Sequence, residues 1–248
     1  MSALVISGLV VLMTATAFLS GIFGMAGGLI LIGALLALMP LPAAMALHAI
    51  TQMSANGWRA ILWRRHVVWR LLGFYALGCL AAVMLWSAVF FVPEKALALI
   101  CLGLTPFAAR MMPSGLQPDP ARASHGFAHG VICMSLMLLT GVTGPLLDTF
   151  FLGAKGTDRR GVVATKAVAQ VLGHALKLLY FGGLMAGAAG LDPILVAVAV
   201  AASMLGTTLS RRILEAMSDR QFRLWSGRLI TAIATVYLVQ GGWLLVAR

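Results

Sequence analysis

Eight apolar runs of helix length make up most of this chain, at 4–39, 43–63, 69–92, 96–112, 127–153, 162–185, 193–209 and 222–246. None alternates apolar with polar residues as a half-buried strand would, so each is read as helix. Sixty-one per cent of the 248 residues are hydrophobic, 10% are charged and the mean hydropathy is +0.98, outside the range of soluble domains. In lipid every backbone N–H and C=O must find its partner within the protein, and helices do this within one segment. The expectation is an all-α integral membrane protein with no soluble domain. No signal-peptide pattern opens the chain, so 1–39 is expected to be structure.

Two of the runs, 4–39 and 127–153, contain a glycine cluster near the middle. Each arm is then too short for a comfortable span of about 20 residues, so each run is expected to be a broken helix or a re-entrant hairpin. The clusters match. Ser20–Gly28 reads SGIFGMAGG and Thr140–Asp148 reads TGVTGPLLD, so that Gly21, Gly24 and Gly33 correspond to Gly141, Gly144 and Gly153, 120 positions later. After a two-residue length difference, His48, Gln52, Asn56 and Arg59 fall opposite Lys166, Gln170, His174 and Lys177. The stretch at 113–123, rich in proline, glycine and polar residues, reads as a linker between repeats at 1–112 and 124–248.

Charge orients the repeats. The net charge is +11, and the basic residues gather in connectors around Arg64, Arg122, Arg160 and Arg212. Those loops should be cytoplasmic, with anionic lipid headgroups as their partners and no role for nucleic acid. Between Arg122 and Arg160 the chain must enter the membrane and return to the same side. If the first run does the same from outside, each half is a hairpin plus three crossings, the halves are inverted, and both termini lie outside.

The polar positions suggest the cargo. Residues at i, i+4, i+8 and i+11 share an arc of about 80° on a helix, so His48, Gln52, Asn56 and Arg59 form one stripe. Lys166, Gln170, His174 and Lys177 form another. Amides, imidazoles and cations supply the donors and positive potential that a dehydrated anion needs. Helix ends at Gly24, Gly28, Gly141 and Gly144 would add main-chain N–H groups. Polar neighbours of paired broken segments point to a transport site near the midplane. The competing reading has Arg59, Lys166 and Lys177 snorkelling to an interface and the amides serving only as interhelical glue.

Other polar residues weigh less. Asp148, the only acid deep in an apolar run, is a candidate for proton coupling or for a structural ion pair. His125 and His129 have metal-ligand spacing but no third ligand, so packing explains them better. Cys79, Cys101 and Cys133 sit singly in apolar runs and read as small packing residues. The six tryptophans read as an interfacial belt. No cofactor, metal or catalytic residue is expected.

At SGIFGMAGG with PAAMALHAITQMSANG, and at TGVTG with RRGVVATKAVAQ, the sequence resembles the TauE/SafE family of sulfite exporters, along nearly the whole chain. Pro145, Leu146, Leu147 and Asp148 depart from the small residues of that pattern. The resemblance implies a permease for sulfite, organosulfonates or other small organic anions, often outward across a bacterial inner membrane. The leading expectation is a secondary transporter working by alternating access. Its alternatives are an anion channel or subunit of an assembly, and an intramembrane enzyme using His174 and Asp148. The partners expected are a small anion, membrane lipid and, as an open option, further copies of the same chain.

Overall fold

The computed structural model describes residues 3–23, 26–89, 91–113, 119, 122–152, 159–184 and 191–246. These form ten α-helices: α1 (Ala3–Phe23), α2 (Ala26–Leu38), α3 (Leu41–Leu62), α4 (Gly73–Val89), α5 (Lys95–Met111), α6 (Ala123–Thr140), α7 (Gly144–Leu152), α8 (Arg159–Leu178), α9 (Pro193–Ala216) and α10 (Asp219–Val246). No strand occurs among the described residues. Six of the helical stretches are long and apolar enough to cross a membrane, and the protein is an all-α integral membrane protein. The α3 helix is long enough at 22 residues but is not one of the six. Its polar stripe lowers its hydropathy.

Proline and glycine set several ends. Pro42 and Pro193 lie in the first turns of α3 and α9, where a missing N–H costs nothing. Asp192 caps α9 by accepting from the Ile194 N–H at 2.8 Å. Gly141 closes α6 at φ +88°, its N–H reaching Met137 O at 2.9 Å, a left-handed conformation that glycine adopts at no steric cost.

Both short helices fold back on their predecessors. The Gly28 N–H donates to Ser20 Oγ at 3.0 Å, whereas residues eight apart on a continuous helix lie about 12 Å apart. In the second half, His129 on α6 bonds Leu146 O on α7 at 3.1 Å and stacks on Phe150 with ring centroids 4.4 Å apart. His129 is thereby a hairpin clasp. Leu29, Leu31, Ile32, Leu35 and Leu36 of α2, and Leu147, Phe150 and Phe151 of α7, are buried in the core. A helix that is apolar all round belongs inside. The longer helices surround this pair and turn side chains such as Met84, Val236 and Trp243 outward, as a lipid-facing surface requires.

Packing repeats between the halves. Helix α1 lies on α9 and α4 on α6, α3 faces α8, and α5 faces α10, while α2 meets α10 and α7 meets α5. Gly206 lies against Thr14 and Phe18, and Gly78 against Phe127 and Val131, each so close that a Cβ would strike backbone. Small residues let membrane helices approach in this way. The α3 and α8 helices run antiparallel, since His48 meets His174 and Lys177 while Gly57 lies nearest Val171. So do α5 and α10, since Arg110 bonds Gly227 O and Gly241 lies on Ile100.

Two tryptophans also make bonds between helices. Trp58 Nε1 donates to Thr208 Oγ1 and Trp86 Nε1 to Ser135 Oγ, both at 3.1 Å. They fasten neighbouring helices. Cys79 and Cys133 are buried and free, Cys79 Sγ lying 3.5 Å from Gly130 O at the α4–α6 crossing, as small packing residues would.

Candidate functional site

The first turns of α2 and α7 both reach one small cavity of about 10 Å³, lined by Gly28, Leu29, Gln52, Val142, Thr143, Gly144, Gln170 and His174. Gln52 comes from α3, and Gln170 and His174 from α8, where both stripes turn inward at the crossing of the two helices. Gly28 leaves room for Gln52: a Cβ there would sit 3.2 Å from Gln52 Oε1.

The wall is buried and only partly satisfied. Gln52 and Gln170 are 5% exposed and His174 is 2% exposed. Among the described residues, Thr143 Oγ1, Gln170 Oε1 and His174 Nδ1 are buried with no hydrogen-bond partner. Each such atom costs about 1–3 kcal/mol when left unpaired, and three of them meet at one cavity. Two helix starts add the positive ends of their dipoles. Thr143 Oγ1 and His174 Nδ1 can each donate, whereas Gln170 Oε1 only accepts, so the arrangement suits a small ligand that accepts hydrogen bonds at two points and offers a proton at a third.

The remaining candidates lie behind this wall. His48 is fully buried, its Nε2 3.0 Å from Gly28 O and its Nδ1 2.7 Å from Lys177 Nζ. Lys177 also donates to Gly141 O at 2.9 Å. The Asn56 side chain donates to Gln52 O at 2.9 Å and accepts from Arg59 at 3.2 Å, and Arg59 reaches Ser20 O at 3.0 Å. Lys166 is buried on α8 away from the cavity wall. Gly24 and the side chain of Asp148 lie outside the described residues. Thr143 escaped the sequence reading, although its hydroxyl between Gly141 and Gly144 was the available signal.

Residues 9–237 match the family described as Sulfite exporter TauE/SafE. The chain belongs to the TauE/SafE family. No curated protein and no solved structure matches it. The TauE/SafE assignment covers both hairpins and the whole cavity wall, and it makes the chain a multi-pass membrane protein of a family that suggests transport of sulfite or related sulfur anions.

Proposed function

We propose that the protein is a secondary transporter that carries sulfite, organosulfonates or related small anions, as an exporter in a bacterial inner membrane. The observation that carries this reading is the cavity lined by the first turns of α2 and α7, where Thr143 Oγ1 and His174 Nδ1 are buried, unpaired and able to donate to an oxyanion, and Gln170 Oε1 can accept from a protonated one. A volume near 10 Å³ holds about one water, so an oxyanion enters only as helices part. That favours a carrier with alternating access over an open pore. The antiparallel α3/α8 and α5/α10 pairs support an inverted repeat, and the basic loops, taken as cytoplasmic, put both termini outside. A cysteine placed at Asp192 is then labelled from outside and one placed at Arg160 is spared.

Proteoliposome flux tests the function. Saturable uptake of sulfite, accelerated by sulfite or a sulfonate on the far side, is the expected result. Flux that rises linearly with concentration makes the protein a channel, and no flux of sulfite, sulfonate or carboxylate removes the transporter reading. Coupling to protons is proposed at Asp148: Asp148→Asn should keep anion exchange but lose its stimulation by a pH gradient. Intact pH-driven flux in that variant assigns coupling elsewhere.

A further inference from the structure

Arg59 and Lys177 are repeat-related cations, and neither lines the cavity. Arg59 is 8% exposed and Lys177 is 0% exposed, a depth at which a charge needs partners. Both find them at the same kind of place. Arg59 Nη2 donates to Ser20 O in the last turn of α1 at 3.0 Å, and Lys177 Nζ donates to Gly141 O, just past α6, at 2.9 Å. The last four carbonyls of a helix lack intrahelical partners, and that end carries partial negative charge. In each half, a cation near the end of the next long helix therefore satisfies the C-terminal end of the first.

We infer that Arg59 and Lys177 are paired positioning residues that cap the C-terminal ends of α1 and α6, so that a bound anion meets only the positive starts of α2 and α7. The inference rests on the anion-transport reading and assigns these two cations a role other than contact with the anion. Capping neutralises the two helix ends that would repel the substrate and fixes where each hairpin turns. The Arg59 clamp closes within its own half through Asn56. The Lys177 clamp crosses between halves. Gly28 O can only accept, so His48 Nε2–H donates to it and His48 Nδ1 accepts from Lys177, tying the second turn to the start of α2.

Amide hydrogen exchange on the purified protein without any anion tests the capping directly. Arg59→Met should speed exchange at Ala26–Leu29, and Lys177→Met at 142–147, by about tenfold or more, while Arg59→Lys, which keeps the charge but loses the two-pronged reach, falls between wild type and Arg59→Met. Transport supplies the second readout. Arg59→Lys should keep KM within about twofold of wild type, whereas Gln170→Leu raises it about tenfold. Unchanged exchange in both methionine variants overturns the inference, and so does a tenfold rise in KM with unchanged turnover in Arg59→Lys. Where a methionine variant does not fold, Arg59→Lys and Lys177→Arg decide by the same KM criterion. If the wild type moves no anion, the transport reading fails while the exchange data still judge the caps.

Discussion

The two helix breaks use the same positions and different chemistry. At the first, a guanidinium with several donors reaches Ser20 O and Asn56 Oδ1, both in its own half. At the second, a compact ammonium reaches Gly141 O and then His48 of the other half. Arg suits a fork of fixed acceptors, whereas Lys offers a point charge on a flexible stem. These Arg59 bonds stay within the first half, whereas the Lys177 bonds join the halves. Motion that separates α3 from α8 must part Lys177 from His48, while the Arg59 clamp can travel intact.

The breaks also differ in what their glycines tolerate, which gives the largest expected effect. Gly141 has φ +88°, and a Cβ there would lie 2.9 Å from Ile32 Cγ1 and 3.0 Å from Met45 Sδ. Gly141→Ala should cost about 2–4 kcal/mol and sharply reduce the yield of folded protein, read by size-exclusion profile in detergent. Gly28→Ala meets only the flexible end of Gln52, at 3.2 Å. It should fold and show its defect in KM. Equal loss of folded protein in the two variants would erase the distinction between a turn that requires glycine and a substrate-side glycine.

The next contrast sets the cavity wall against the clamp behind it. Gln170→Leu removes an amide from the wall and should raise KM about tenfold, the order expected when one charge-assisted bond is lost. Asn56→Leu removes the link between Arg59 and Gln52 O instead, and should lower the unfolding midpoint while leaving KM within about twofold. A larger KM effect from Asn56→Leu than from Gln170→Leu would move the substrate toward the first break.

Much of this was readable in the residues. The 120- and 118-residue offsets, the glycine clusters and the two stripes located both hairpins and placed Gln52, Gln170 and His174 on converging faces. What stayed hidden is what the stripes bond. Arg59, Asn56 and Lys177 spend donors on backbone carbonyls, and a carbonyl leaves no mark in a side-chain pattern. His129 gave the same problem: its spacing from His125 suggested a metal, but its partners, Leu146 O and Phe150, come into reach only once α7 folds back. The left-handed turn at Gly141 was hidden for a similar reason, since a glycine in an apolar run fits a kink, a crossing or a cap.

The smallest effect compares the two hairpin clasps. Ser20 Oγ accepts the N–H of Gly28, in the first turn of α2, where no preceding helical carbonyl serves that N–H. Ser20→Ala leaves this buried donor unpaired and should cost about 1–3 kcal/mol. The clasp at the second hairpin runs the other way, with His129 Nε2 as donor to Leu146 O. His129→Phe removes donor and polar ring together and keeps a flat ring for Phe150 to stack on. Its cost should be about 0.5–1.5 kcal/mol. Thermal unfolding in one detergent should rank wild type above His129→Phe and His129→Phe above Ser20→Ala. The reverse ranking would mean that the α6–α7 hairpin depends on its single clasp more than the α1–α2 hairpin does, and that the cross-half Lys177 clamp contributes less to the second break than its geometry indicates.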